Sequence, residues 1–208
     1  MNQPTDNRRP IKARSASWAQ GFARWLAQRS ITPNQISVAS IAFAALGAWL
    51  LWRVPSVIGW LGCAVCIQAR LLCNLFDGMV AVEGGKRSAV GELYNEFPDR
   101  VADSLLLVAL GYASGWSWLG WFGALAAALT AYVRVFGGAL GFAQSFRGPM
   151  AKQHRMFVMT IACVVTVFEN WFNGSRYALQ AAAIVISVGS VLTCFTRTRA
   201  IAQQLRAK

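Results

Sequence analysis

Residues 74–103 read NLFDGMVAVEGGKRSAVGELYNEFPDRVAD, and this stretch decides how the rest of the chain is interpreted. The chain of 208 residues has only eight acidic residues, and six of them fall between Asp77 and Asp103. Long apolar runs flank the stretch, so several carboxylates lie where a helix would enter or leave a membrane. Ionisable side chains at that depth are costly and usually have a partner or a function. The structural explanation would be ion pairs with basic neighbours, namely Arg70, Arg87 or Arg100.

The composition outside this stretch is that of an integral membrane protein. Hydrophobic residues make up 56% of the chain and charged residues only 13%. A helix that crosses the hydrocarbon layer needs roughly 20 mainly apolar residues. The sequence predicts an all-α membrane fold with six transmembrane helices. They cover about Pro33 to Trp52, Val57 to Phe76, Val101 to Trp116, Trp118 to Phe136, Phe157 to Trp171 and Tyr177 to Phe195.

The predicted membrane domain covers residues 32–208 and follows a separate N-terminal segment, residues 1–31. Within that segment, Trp18, Phe22, Trp25 and Leu26 repeat on one helical face beside basic residues. This pattern predicts an amphipathic helix at the membrane interface, although the helix could also pack against the bundle. Thr32 is expected to cap the first transmembrane helix together with Gln35.

The net charge of +12 comes from basic residues that lie at the ends of the predicted spans, and their positions predict how the chain is oriented in the membrane. Because these residues do not form a soluble basic patch, a nucleic-acid partner is excluded. We expect both termini and the loops after the second and fourth spans in the cytoplasm, with the protein in a bacterial inner membrane. The basic residues on that side are Arg8, Arg9, Lys12, Arg14, Arg24, Arg29, Lys86, Arg87, Arg100, Arg147, Lys152, Arg155, Arg197, Arg199, Arg206 and Lys208.

The spacing of polar residues predicts a metal site between two antiparallel helices, since residues three or four apart share a helical face. Gly84 and Gly85 would break the chain between those helices. One stripe holds Asn74, Asp77 and Ala81, and the other holds Gly91, Asn95, Asp99 and Asp103. Oxygen ligands of this kind suit Mg2+ (or Mn2+), which retains positions for water and phosphate. The small residues Gly78, Ala81 and Gly91 would let a nucleotide approach the helix backbones.

The stretch resembles the signature of the CDP-alcohol phosphatidyltransferases, Asp-x2-Asp-Gly-x2-Ala-Arg-x8-Gly-x3-Asp-x3-Asp. Five residues match without gaps: Asp77, Gly78, Ala81, Gly91 and Asp99. Three residues depart from it: Asn74 and Asn95 replace the first and third aspartates, and Val82 replaces the arginine. The departures indicate a divergent branch of the family, in which Glu92, Glu96 or Asp103 would compensate for the lost charge, with Asp103 the best placed.

The resemblance implies transfer of a phosphatidyl group from a CDP-diacylglycerol-like donor to a small alcohol, with or without a phosphate of its own, and release of CMP. Asp99 would be the general base. The implied metal ligands are Asn74, Asp77, Asn95, Asp99 and Asp103, and the implied CDP-binding residues are Asp77, Gly78, Ala81 and Gly91. Lys152, with Arg155 and Arg134, would bind the acceptor phosphate, unless these cations serve topology, anionic lipid or a carboxylate partner. Membrane lipid surrounds the protein, and the family resemblance implies a homodimer.

Three other functions fit parts of the pattern. The same signature serves the reverse arrangement, in which a CDP-choline or CDP-ethanolamine type donor passes its phospho-alcohol to diacylglycerol. A non-catalytic lipid-binding or nucleotide-binding homologue would explain the two asparagines. A transporter or channel is disfavoured, because its polar residues should continue through the membrane, whereas here they gather at one side.

Overall fold

A computed structural model of the chain describes residues 16–29, 31–86 and 88–207. The described residues contain seven α-helices and no β-strand. Six basic residues from the orientation argument lie outside the described residues: Arg8, Arg9, Lys12, Arg14, Arg87 and Lys208. The helices are α1 (Ser17–Gln28), α2 (Pro33–Arg53), α3 (Val57–Val82), α4 (Gly91–Ser114), α5 (Ser117–Ala139), α6 (Lys152–Phe172) and α7 (Tyr177–Arg206).

Five of the described helices, α2, α3, α5, α6 and α7, are long and apolar enough to cross a membrane. Helix α4 is also long, at 24 residues, but its first half carries charged side chains that keep it outside this group. The predicted all-α membrane fold is therefore confirmed in its five apolar spans. A sixth crossing by α4 stays a prediction.

The helices pack as a ring in the order α2, α3, α6, α7, α5, α4, and α4 also contacts α7. Small residues allow the closest approaches. A Cβ added to Gly111 on α4 would lie 2.5 Å from the Cα of Gly120 on α5, so no larger residue fits without moving a helix. Close backbone contact of this kind is a common source of helix association in membranes, where the hydrophobic effect between helices is weak.

Several helices extend beyond the predicted apolar runs, and they do so at one end of the bundle. Helix α3 continues past Phe76 to Val82, α7 continues past Phe195 to Arg206, and α4 and α6 begin before their apolar runs. We call this the site end, where α3, α5 and α7 finish and α2, α4 and α6 begin. The length of an apolar run indicates how much of a helix contacts lipid. The helix itself can continue beyond that run where its polar side chains have partners.

Local signals between the helices behave as predicted. The side chain of Thr32 accepts a hydrogen bond from the backbone N–H of Gln35, and the side chain of Gln35 accepts one from the backbone N–H of Thr32. Helix α3 ends at Val82, and Gly85 takes the positive φ of +67° that the turn to α4 requires. The cap at Thr32 and the turn at Gly85 fix the directions in which α2 and α4 leave the site end.

Helix α1 lies against the end of α3 with its small residues inward. Ala19 and Ala23 are buried against α3, whereas Trp18, Phe22 and Trp25 are each about half exposed, at 57%, 45% and 46%. The rings of Trp18 and Phe22 contact Phe76 of α3. Packing against the bundle, the alternative placement, is therefore present, and it leaves an aromatic surface uncovered by the described residues.

Candidate active site

The site is centred on Asp99, which is buried near the start of α4. Its Oδ1 accepts hydrogen bonds from Asn74 Nδ2 at 3.0 Å and from Arg70 Nη2 at 3.3 Å, both on α3. Its Oδ2 accepts one from Lys152 Nζ at 2.5 Å, at the first residue of α6. Three helices thus converge on one carboxylate, and the predicted residues Asn74, Asp99 and Lys152 are in direct contact.

A second buried carboxylate, Asp103, lies one turn further along α4 and is shared by two arginines. Arg70 Nη2 is 2.7 Å from Oδ1, and Arg155 Nη2 is 2.7 Å from Oδ2. The two arginines are 0% and 1% exposed, so their charges depend on this carboxylate. Ion pairing with Arg70, the structural explanation for the acidic stretch, is therefore present. Each oxygen of Asp103 lies within ion-pair distance of an arginine, but Oδ1 accepts no hydrogen bond from the described residues. The role of Asp103 as a metal ligand stays a prediction.

Arg155, which was predicted to bind the acceptor phosphate, is held by further neutral groups. Its Nη1 donates to the carbonyl of Met150 at 2.9 Å and to the hydroxyl of Thr130 at 3.4 Å. With one carboxylate and two oxygen partners at 1% exposure, the side chain is part of the interior. Arg155 ties α6 to α4 and α5.

Asp77 contributes the next carboxylate toward the end of α3. Its Oδ2 accepts a hydrogen bond of 2.6 Å from Ser37 of α2, and it lies within electrostatic range of Asp99 and Lys152. Sequence reasoning missed Ser37, whose only signal was a hydroxyl one turn after the capped start of an apolar helix. The contact requires the packing of α2 on α3, which spacing within one helix cannot reveal.

The predicted nucleotide-binding residues follow Asp77 and precede Asp99. Gly78 and Ala81 near the end of α3 and Gly91 at the start of α4 are all partly exposed at the site end. Asn95 is exposed and lies one turn before Asp99 on the same face. The structure therefore leaves these small and neutral residues accessible beside the buried carboxylates.

Arg134, the third predicted acceptor-binding residue, has a carboxylate partner instead. It forms a short ion pair with Glu96 of α4 and donates a 2.6 Å hydrogen bond to Gln144. Its guanidinium also lies 5.4 Å from the ring centre of Phe146. Arg134 thus joins the end of α5 to the start of α4, and the deeper position of this cation is explained by the carboxylate alternative.

Lys152 is placed by a loop that α7 holds in position. The backbone N–H of Met150 donates to the hydroxyl of Thr193 at 2.9 Å, and Arg197 Nε donates to the carbonyl of Arg147 at 2.9 Å. Gly148 takes a φ of +122° directly against Thr193. The role of Arg197 was not foreseen, because the basic run near the end of α7 reads simply as a cytoplasmic flank.

The donors that remain around Asp99 are hard oxygens, although they are few. Among the described residues, no group of three or more His, Cys, Asp or Glu side chains could hold a metal ion. Two signature positions are amides, and arginines occupy Asp103. The carboxylates of Asp77 and Asp99 and the amides of Asn74 and Asn95 nevertheless carry oxygen donors on α3 and α4 at the site end. Such a set fits Mg2+ or Mn2+, which can take water and phosphate as further ligands.

These features define an all-helical membrane protein with an acidic site between two helices that is flanked by a cation from a third. The family model of the CDP-alcohol phosphatidyltransferases matches residues 30–194, so it covers the helices that build this site. The chain belongs to the CDP-alcohol phosphatidyltransferase family. It is therefore a transferase for substituted phosphate groups in phospholipid synthesis, and an integral membrane protein.

Three curated relatives cover most of the chain. Archaetidylinositol phosphate synthase of Aeropyrum pernix is 30% identical over 181 residues, 86% of this chain and 85% of its own. Phosphatidylinositol phosphate synthase of Streptomyces avermitilis is 23% identical over 184 residues, which are 85% and 74% of the two chains. Inner membrane protein YnbA of Escherichia coli is 23% identical over 172 residues, which are 82% and 86%.

Solved structures of Mycobacterium tuberculosis phosphatidylinositol phosphate synthase share the fold. The complex with manganese and citrate has a TM-score of 0.75 at 19% identity and covers 88% of each chain. The structure with CDP-DAG bound has a TM-score of 0.77 at 19% identity and covers 89% of this chain and 94% of that one. At 19% sequence identity, this structural similarity establishes that the helices are arranged in the same way.

Proposed function

We propose that the protein transfers a phosphatidyl group from CDP-diacylglycerol to a small phosphorylated alcohol and releases CMP. One observation carries this proposal, the 2.5 Å contact between the carboxylate of Asp99 and the ammonium of Lys152. A base and a cation at one point suit an acceptor that has both a hydroxyl to deprotonate and a phosphate to bind. Two relatives are named as synthases of inositol phosphate lipids, and these names support the same class of acceptor.

Asp99 is the group of this chain that accepts the proton. In the reaction, the acceptor hydroxyl loses its proton to the carboxylate, its oxygen bonds to the phosphorus on the lipid side, and the bond to CMP breaks. A base must lie within hydrogen-bond reach of the hydroxyl, and Oδ2 is the Asp99 oxygen that points toward Lys152. Asn95 cannot replace it, because an amide is not a base at neutral pH.

Lys152 is suited to bind the acceptor phosphate because it is both charged and accessible. Its side chain is 25% exposed, in contrast to the fully enclosed Arg155. The flexible stem lets the ammonium move from Asp99 to a phosphate while it stays in the site. In this proposal Arg155 and Arg134 support the site through Asp103 and Glu96.

The divalent cation would be held by Asp77 and Asp99, with the amide oxygens of Asn74 and Asn95 as neutral ligands. When bound, Mg2+ or Mn2+ supplies charge neutralisation at the pyrophosphate of the donor. Ser37 donates to Asp77 and orients its carboxylate. We assign Asp103 to the support of the site, because both of its oxygens contact arginines.

The nucleotide would lie over the partly exposed small residues that follow Asp77. Gly78, Ala81 and Gly91 present little side chain at the site end of α3 and α4. A flat base and a ribose need such a surface, because larger side chains would hold them away from the metal-binding carboxylates. Asp77 would then serve both the metal and the nucleotide.

We place the active site, both termini and the site end of the bundle on the cytoplasmic side of a bacterial inner membrane. Helix α4 would be the sixth span, since its 24 residues give about 36 Å at 1.5 Å per residue, enough for a hydrocarbon layer of about 30 Å. The exposed Trp18, Phe22 and Trp25 of α1 would rest on the membrane surface. A homodimer would follow the family.

An Asp99→Ala variant tests the assignment. Purified protein receives CDP-diacylglycerol, Mg2+ and a panel of acceptors that includes inositol phosphate and glycerol 3-phosphate, and CMP is measured. We expect no turnover by the variant, because no other buried carboxylate of the site contacts Lys152. Glu83→Ala is the control, since Glu83 lies exposed just after the end of α3 and should keep wild-type turnover. Turnover by Asp99→Ala near the wild-type rate would refute the role of the base.

A further inference from the structure

Helix α3 holds one oxygen of Asp99 with two donors stacked on the same face. Arg70 and Asn74 are four residues apart, so their side chains project in the same direction. Both donate to Oδ1 of Asp99, at 3.3 Å and 3.0 Å, and neither contacts Oδ2. The two oxygens of the carboxylate are thereby distinguished, because Lys152 contacts only Oδ2.

We propose that Arg70 and Asn74 are positioning residues, which fix Oδ1 of Asp99 so that Oδ2 faces the acceptor. This inference rests on the proposed function of Asp99 as the base. A carboxylate has two equivalent oxygens and rotates about its side-chain bonds, so an unheld group presents its basic lone pair in many directions. Precise alignment of a catalytic group contributes strongly to rate.

Arg70 is constrained to this task by its surroundings. The side chain is 0% exposed, and its Nη2 bridges Asp99 Oδ1 and Asp103 Oδ1, 2.7 Å from the latter. Its Nε and Nη1 have no hydrogen-bond partner among the described residues. The polar contacts of this buried guanidinium are therefore directed at α4, and they lock the two carboxylates of that helix relative to α3.

Asn74 gains a physical explanation as a departure from the family signature. Aspartate at this position would have no N–H to donate and would place a second negative charge about 3.0 Å from Oδ1 of Asp99. Asparagine keeps an oxygen for the metal and adds a donor for the base. The amide therefore combines two functions that a carboxylate cannot combine, and the replacement is compatible with an active enzyme.

The test is Asn74→Asp, which removes the donor and keeps a ligating oxygen. We expect kcat for CMP release to fall roughly 10- to 100-fold, the usual cost of losing a group that orients a ligand or base. The KM for CDP-diacylglycerol should change little, and the affinity for Mn2+ should not weaken. Gln180→Glu is the matched control, since it makes the same amide-to-acid change where Gln180 donates to the carbonyl of Ser114, at the opposite end of the bundle.

A swapped pair separates positioning from metal binding and from loss of folding. In Asn74→Asp with Asp99→Asn, the acceptor and donor exchange places, so part of the thermal stability that Asn74→Asp loses should return while activity stays absent. The rest stays lost, because the amide nitrogen of residue 99 then faces Arg70. This stability readout needs no turnover, so it tests the contact even if the wild type proves inactive. A wild type without activity toward any acceptor would overturn the proposed function instead.

Variants of Arg70 give an independent comparison. Arg70→Lys keeps a positive donor and should retain more of the wild-type kcat than Arg70→Met, measured per folded molecule. An Asn74→Asp enzyme with wild-type kcat would overturn the proposal, and so would a loss of kcat that follows a matching loss of Mn2+ affinity. The absence of stability recovery in the swapped pair would overturn it as well.

Discussion

Replacing Asp103 by Asn removes the carboxylate that two buried arginines share, with almost no change in side-chain shape. Arg155 would keep only neutral oxygens, the carbonyl of Met150 and the hydroxyl of Thr130. Arg70 would keep Asp99, whose Oδ1 is 3.3 Å away compared with 2.7 Å for the lost oxygen. The variant thus leaves one guanidinium without an anion in the interior.

The expected cost is large because the charges are enclosed. Removing one partner of a buried ion pair destabilises a protein by about 3–5 kcal/mol. For a chain of this size, each kcal/mol lowers the melting temperature by about 2–4 °C, so Asp103→Asn should melt roughly 6–20 °C below the wild type. Mutating Arg155 to Met in the Asp103→Asn background should then cost less than it does in the wild type, since the pair is already broken.

Thermal unfolding in detergent measures this effect. A thiol-reactive dye reports unfolding once the partly exposed Cys73 and Cys194 have been replaced by serine, because Cys63 and Cys163 are buried in the folded protein. Glu92→Gln is the control, as it removes an exposed carboxylate from the same helix. If Asp103→Asn melted within about 2 °C of the wild type, the ion pairs would contribute little stability. A large loss of Mn2+ affinity without loss of stability would instead support the original prediction of Asp103 as a metal ligand.

Three further predictions concern the metal site, the acceptor and the loop before α6. Lys152→Met should raise the KM for a phosphorylated acceptor roughly tenfold or more, because a charge-assisted hydrogen bond is lost, while the KM for CDP-diacylglycerol stays unchanged in steady-state kinetics. Ser37→Ala removes the 2.6 Å hydrogen bond to Asp77 and should weaken Mn2+ binding about tenfold in a spectroscopic titration. Gly148→Ala should lower the melting temperature more than Gly141→Ala, because a Cβ at Gly148 would lie 2.5 Å from a side chain of α7, whereas the space at Gly141 is open.

Each of these three predictions has its own control variant. Lys152→Arg keeps the charge, and an acceptor KM as high as that of Lys152→Met would argue against a role of charge. Ser187→Ala removes a buried hydroxyl on α7, and a similar loss of Mn2+ affinity there would show that the effect of Ser37→Ala is not local. Both glycines have positive φ values, +122° and +82°, so equal melting temperatures would mean that the contact with α7 adds no cost.

The sequence sufficed for the family, the apolar helices and the two stripes of polar residues, because all three depend on short spacing. Residues three or four apart on one helix must share a face, so the pattern around Asp77 and Asp99 could be placed on facing stripes. The capping of α2 by Thr32 and the turn at Gly85 are equally local. In these cases the determining distance is a few residues along the chain, and the prediction and the structure agree.

Helix α4 is longer than the apolar run from which its position was predicted. The predicted third span begins at Val101, whereas the helix begins at Gly91. The intervening turns carry Glu96, Asp99 and Arg100, which lower the hydropathy although they are helical and paired. An apolar run marks the part of a helix that contacts lipid, and the polar turns that build this site fall outside that criterion.

The partners of the basic residues could not be read from the sequence, because they depend on packing between distant segments. Arg155 and Arg134 were predicted to bind phosphate, yet each contacts a carboxylate of α4 that lies far away in the chain. Ser37 and Arg197 carried no signal, since a hydroxyl in an apolar helix and a basic residue near a span end are both common. Lys152 differs from these arginines in being accessible, and only the structure separates them.

The central claim is tested most directly by the products of the wild-type enzyme. Purified protein in detergent is incubated with CDP-diacylglycerol, Mg2+ and inositol phosphate or glycerol 3-phosphate, and CMP and the lipid product are quantified together. We expect equal amounts of CMP and a new phosphorylated phospholipid, and neither product when the phosphorylated acceptor or the metal is left out. Failure to release CMP with any acceptor, or release of CMP without a lipid product, would contradict it.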